Sequence, residues 1–216
     1  MASREGPFYT PAEYLARERA AETKHEYYNG RIYAMTGARR SHVRVTGTVL
    51  ALLHAQFRGR SCEVFNSDMR VRVSATGFYT YPDVSALCGE PEFEDAEVDV
   101  LLNPTVLVEV LSRPTEAYDR GGKFDQYRKI PTLQEYVLFE QDRALAEHYL
   151  RTGAAGDRWG LTVVRGLDAT LELPAIGCTL PLRDVYERVE LLPDPPLRAV
   201  YEDALDAGYA VNQTST

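Results

Sequence analysis

The run Thr105-Val106-Leu107-Val108-Glu109-Val110-Leu111 constrains this chain more than any other stretch. It is short, apolar and rich in β-branched residues, the profile of a central strand covered on both faces in an α/β sheet. Glu109 breaks that profile. Leaving a carboxylate unpaired in an apolar interior is costly, so Glu109 has to be protonated, ion-paired, open to a cleft at the strand end, or bound to a cation. A buried salt bridge to an arginine is the competing structural explanation, and both readings stand at this point.

The remaining pattern predicts what surrounds this strand. Thr10-Pro11 opens an N-terminal helix that runs through Tyr14, Leu15, Glu18 and Glu22 and ends near His25. Glu26 to Tyr33 reads as two strands about an Asn29-Gly30 turn. Ser41 is expected to cap a second helix, in which Val45, Val49, Leu52, Leu53 and Phe57 form an apolar stripe that stops at Gly59. Strand-like runs follow from Cys62 to Phe65, Met69 to Val73 and Phe78 to Leu87, the last interrupted by Pro82. After an acidic, exposed loop from Glu90 to Asp99 and the Glu109 strand, Asp119 to Lys129 is helical and Glu135 to Glu140 extended. From Leu145 onward, short segments separated by Gly, Asp and Pro predict a C-terminal β-meander, then a helical turn near Val185. The expectation is one α/β domain over residues 1–190, a mixed sheet flanked by helices, with residues 191–216 a partly helical or disordered extension.

The charge balance narrows the function. With 32 acidic against 24 basic side chains and a net charge of -8, the chain cannot hold nucleic acid by global charge, so any such contact is local. Carboxylates are also what a divalent cation requires. Cys62, Cys88 and Cys178 show no C-x-x-C spacing, so neither a disulfide framework nor a zinc knuckle is expected, only small buried side chains. No apolar run approaches the roughly 18 residues of a membrane span, and the start leads into a charged helix; no membrane contact and a reducing cytoplasm are expected.

Asp83, directly after Pro82, would pass for a turn residue on its own. Paired with Glu109 at the end of a neighbouring strand, it becomes half of a site for a hard cation such as Mg²⁺ or Mn²⁺. Lys123 is either a solvated helix lysine supported by Asp119 or, because Asp119, Lys123 and Tyr127 share a helix face, a charge delivered to a phosphate beside Glu109.

Pro82-Asp83, Glu109-Val110-Leu111-Ser112, Asp119, Lys123 and Tyr127 together resemble the PD-(D/E)xK nuclease superfamily, specifically its Uma-type restriction endonuclease branch. The likeness extends from about Glu26 to Tyr149 and takes in the Asn29-Gly30 hairpin, His42, Ser67 to Val71 and Glu135-Tyr136-Val137. It implies a restriction-endonuclease-like fold, a homodimer, DNA as substrate, and Mg²⁺ or Mn²⁺ on Asp83 and Glu109. The superfamily motif places its lysine two residues after the glutamate, where this chain has Leu111, and the resemblance moves that role to Lys123. By the same resemblance Glu26 supplies a further catalytic carboxylate, while His42, Arg70 and Tyr127 contact substrate. A helix-end surface charge is the competing explanation for Glu26, and a structural hydrogen bond that for His42.

Divalent-cation-dependent phosphodiester hydrolysis is therefore the leading expectation, with a basic lip from Arg39, Arg40, Arg44, Arg70, Arg72, Arg120 and Arg128. A non-catalytic module that keeps the fold to bind nucleic acid or a protein is the second. A glycosidase using Asp83 and Glu109 as its carboxylate pair is the third, weakened by a single tryptophan, Trp159, to serve as a sugar platform.

Overall fold

The computed structural model describes residues 7–35, 37–153 and 158–193. The expected extension falls, from residue 194 onward, outside them. Helix α1 (Pro11–Glu18) opens with Thr10 in a reciprocal capping box with Glu13. It stops about two turns earlier than expected, and Glu18 folds inward to accept the His25 backbone N–H at 2.7 Å. Strands β1 (His25–Tyr28) and β2 (Arg31–Ala34) pair antiparallel about Asn29 and Gly30, both at positive φ as a tight two-residue turn demands. Helix α2 (Arg40–Phe57) buries Val45, Val49, Leu53 and Phe57. Ser41 is not its cap: the helix already includes it, Arg39 holds the cap position without a side-chain bond, and the Ser41 hydroxyl lies 3.4 Å from Gln141.

Strands β3 (Cys62–Asn66), β4 (Arg70–Val73), β5 (Phe78–Thr80), β6 (Val84–Cys88), β7 (Val100–Leu101) and β8 (Val106–Leu111) follow. The expected single strand from Phe78 to Leu87 is two strands in different sheets. Pro82 has no N–H for a ladder, and the chain crosses from one sheet to the other through Tyr81-Pro82-Asp83. The helical stretch before Pro131 is composite: α3 (Glu116–Tyr118), a π-helical turn (Asp119–Lys123) and α4 (Phe124–Tyr127). Strands β9 (Glu135–Glu140), β10 (Leu145–Thr152) and β11 (Arg158–Arg165) form the meander, and β12 (Thr170–Leu173) with β13 (Cys178–Pro181) makes a separate ribbon ahead of α5 (Leu182–Val185).

The larger sheet runs β11-β10-β9-β8-β6-β3 and the smaller β2-β1-β5-β4-β7. Strand β8 lies between antiparallel β6 and parallel β9, and every one of its residues is buried. Its even-numbered valines pack with α2, whereas Leu107 and Leu111 pack with Tyr127, Tyr136 and side chains of the smaller sheet. Glu109 alternates onto that second face, between the two sheets.

One expectation is corrected here. Cys62 and Cys88 face each other in the β3–β6 register and form a disulfide, while Cys178 is free and buried as expected. Their separation of 26 residues carries no spacing signal; only antiparallel pairing brings them together. Among the described residues no helix is long and apolar enough to cross a membrane.

Candidate active site

Glu109 does sit in a buried ion pair, with Lys123 and not with an arginine. The Lys123 ammonium lies 3.1 Å from Glu109 Oε1, 3.4 Å from Glu26 Oε1 and 3.3 Å from Asp119 Oδ1. Those side chains are 4–12% exposed, so one cation faces three largely desolvated carboxylates. The Tyr127 hydroxyl donates to Glu109 Oε1 at 2.7 Å. Glu26 comes from the smaller sheet and is held by the Thr80 hydroxyl at 2.6 Å and the Tyr118 hydroxyl at 3.4 Å. Lys123 thus ties one sheet to the other.

Strand geometry explains the placement of Asp83. The β6–β8 ladder ends at Val84 opposite Val108, and one step further puts Asp83 opposite Glu109. Where Pro82 breaks the ladder, Asp83 Oδ2 takes over as acceptor for the Val110 N–H at 2.7 Å. The same oxygen lies 3.1 Å from His42 Nε2, reached from the first turn of α2. A π-helical turn stacks residues five apart, which brings the Tyr118 ring to 5.8 Å from the Lys123 ammonium. Tyr136 steadies that turn by donating to the Asp119 carbonyl at 3.0 Å.

The electrostatics follow from burial and from the carboxylate excess. Burial pushes the Glu109 carboxyl up to about 8, aided by Asp119 and Asp83, while Lys123 and Tyr127 pull the other way. Asp119 is likewise raised by burial, against the pull of Lys123. Burial opposes the Lys123 charge, but Glu109, Glu26 and Asp119 outweigh it and hold the ammonium protonated well above the ordinary lysine range. Asp119 Oδ1 is sealed from solvent with no hydrogen bond, its contact with Lys123 being ionic and poorly directed.

Among the described residues no three His, Cys, Asp or Glu side chains converge as a closed cation cage. The donor set instead fits Mg²⁺ or Mn²⁺ that enters with its own waters or with a substrate phosphate, which takes one or two carboxylates. Glu109 Oε1 and Asp83 Oδ2 carry the hydrogen bonds described above, so the second oxygen of each would be the one to face such an ion.

Of the residues named from sequence, Glu26, Glu109, Lys123 and Tyr127 form one contact group, and Asp83 with His42 forms its more accessible edge. Arg70 stands apart. Its guanidinium donates to the Tyr81 hydroxyl at 2.7 and 2.9 Å and pairs with Asp99, while Tyr81 in turn donates to Glu18. Sequence reasoning missed Thr80 and Tyr118, the two hydroxyls that fix Glu26. Trp159 packs edge-on to Phe124 beneath Arg151 and is no sugar platform. A larger cavity of about 660 Å³ opens near Tyr9, Glu18, His25 and Tyr33, but it is lined by none of the Glu109 group.

Asp83, just before β6, and Glu109, within neighbouring β8, thus meet Lys123 from the helical stretch that follows β8. The chain belongs to the Uma2 family, whose model, described as "Putative restriction endonuclease", matches residues 11–183. It is 40% identical over 164 residues to the uncharacterized protein sll1609 of Synechocystis sp., covering 76% of this chain and 91% of that one. It is 36% identical over 180 residues to slr1290 of the same organism, covering 83% and 92%. A crystal structure from Anabaena variabilis, titled as a putative nuclease belonging to DUF820, superposes with a TM-score of 0.67 at 17% identity, over 82% of this chain and 97% of that one. The restriction-endonuclease-like fold expected from the sequence is therefore the fold observed.

Proposed function

We propose that this chain hydrolyses phosphodiester bonds of DNA with the help of Mg²⁺ or Mn²⁺ held by Asp83 and Glu109. The observation that carries the reading is the buried cluster in which Lys123, among the described residues the one cation in ion-pair contact with them, faces Glu26, Glu109 and Asp119, with Asp83 alongside. A charge deficit of this kind destabilises the empty site and is relieved by a divalent cation. When bound, such an ion polarises the phosphate and activates a water.

The side chains divide the remaining work. Lys123, kept cationic by its neighbours, offsets negative charge that develops on the phosphate oxygens. Tyr127 and Lys123 occupy Glu109 Oε1 and so fix which oxygen faces outward. His42 and the Val110 N–H do the same for Asp83. Glu26, held by Thr80, shares the Lys123 ammonium with Glu109.

The test is cleavage of supercoiled and single-stranded DNA with Mg²⁺ or Mn²⁺, alongside Asp83→Ala, Glu109→Ala and Lys123→Ala. Each variant is expected to lose at least about 100-fold in rate. Cleavage persisting in all three would sink the assignment. A second reading, a nuclease-fold module that binds without cutting, is favoured by Leu111 standing where the superfamily motif has its lysine. It predicts no metal-dependent cleavage by the unmodified protein and undiminished binding in Asp83→Ala.

A further inference from the structure

We propose that the N-terminal end of α2 and the turn after α5 clamp the phosphodiester backbone of the nucleic acid, with Arg39, Arg40, Arg44 and Arg188 as the phosphate-binding side chains. The inference rests on the nuclease reading above and deepens it by naming where the substrate strand lies.

The arginines sort by what neutralises them. Arg70 pairs with Asp99, Arg72 with Glu94, Arg120 with Glu116 and Glu147, and Arg128 with Asp125. Those four of the seven expected lip arginines already have a carboxylate partner. Among the described residues Arg39, Arg40 and Arg44 have no carboxylate within ion-pair distance, in a chain whose net charge is -8. They line a cavity of about 230 Å³ together with Ser41, Arg188 and Glu190. Arg188 contributes a fourth guanidinium whose only ion pair among the described residues, to the adjacent and exposed Glu187, is long at 3.6 Å.

Backbone geometry singles out Arg188 further. It is held at φ 58°, in the left-handed region that costs an ordinary side chain roughly 1 kcal/mol and that glycine occupies freely. Retaining arginine there favours a use for its side chain. The first turn of α2 also carries no acidic residue, so its free N–H groups and dipole add to the positive field. His42 leaves that same turn toward Asp83. His42 and the arginines share the start of α2, so a strand with its scissile phosphate at Asp83 and Glu109 passes the clamp within about one helix width, ~10–12 Å.

Binding of labelled duplex DNA, followed by fluorescence anisotropy in EDTA between about 50 and about 200 mM salt, tests this without turnover. A variant combining R39Q, R40Q, R44Q and R188G is expected to bind at least ten-fold more weakly at low salt. The slope of log affinity on log salt should become shallower by about 3–4. A control with R128Q and R183Q, both in exposed ion pairs, should retain the slope. Arg188→Gly alone should keep or raise the thermal midpoint while weakening binding, two changes that a structural role for this arginine would not combine. An unchanged slope in the four-fold variant or an equal loss in the control would overturn the clamp. Unmodified protein that binds no nucleic acid overturns it too. Binding that is intact without any cleavage overturns the hydrolytic reading and leaves the clamp standing.

Discussion

Glu109 and Lys123 are each the condition for burying the other. Removing the ammonium leaves Glu26, Glu109 and Asp119 facing one another without a counter-charge, so Lys123→Ala should destabilise by about 3–5 kcal/mol in urea unfolding. Lys123→Ala paired with Glu109→Gln should recover a large part of that loss, since the most buried carboxylate is gone; equal midpoints for the single and double variants would argue against the pairing. The pH dependence has a definite sign. Glu109 goes from an ordinary value of 4.5 to about 8 on folding, so the native state holds the proton more tightly. Its favourable contribution is complete below about 4.5 and disappears as pH rises through about 8, with Asp119 acting in the same direction. Metal-free protein should therefore lose thermal stability between these values, and Glu109→Gln should flatten the decline. At the proposed metal site Mg²⁺ or Mn²⁺ would compete with that proton, so its stabilising shift should be larger near pH 8 than near pH 5; equal shifts at both would contradict the assignment of Glu109 as a ligand.

At the scale of elements, the π-helical turn is what aligns Asp119 and Lys123 with Glu109 while Tyr118 still reaches Glu26. Its two glycines are not equivalent. A methyl group on Gly122 would come within 2.8–2.9 Å of the Tyr118 ring, whereas one on Gly121 meets nothing within 4 Å. Gly122→Ala should displace Tyr118 and lower activity several-fold, and Gly121→Ala should be silent or stabilising by up to about 1 kcal/mol; parallel assays and melts decide. The sequence foretold part of this. Glu109 announced itself because a carboxylate interrupted an apolar strand, and Asn29-Gly30 because such a turn needs two residues at positive φ. The π turn was hidden, since a 3.6-residue period places Asp119, Lys123 and Tyr127 on one face but says nothing of Tyr118. The division of residues 78–87 between two sheets was marked only by Pro82, which signals an interruption without saying where the chain goes next.

At the scale of the molecule, the site lies on a seam. Glu26 and Thr80 belong to one sheet, Glu109 to the other, and the ends of α2 and of the π turn close the gap. No local pattern reports such an assembly; the likeness to a known family did, and so named Glu26 without its partners. The cysteines were misread for the same reason, being neighbours through pairing and not through spacing. Closing a loop of 26 residues restricts the unfolded chain, so reducing Cys62–Cys88, or replacing both by serine, should lower stability by roughly 3 kcal/mol in urea titrations. Because the bond joins β3 to β6 and touches no member of the Glu109 group, cleavage at moderate temperature should survive it. The buried carboxylates also bear on how this protein would respond to laboratory evolution. Glu109 opposes folding at neutral pH, so Glu109→Gln, which keeps an oxygen for Lys123 and Tyr127 without the carboxylate, should raise the melting temperature. A selection for heat resistance alone would enrich such replacements early, and the hardiest survivors would be those that had lost the site.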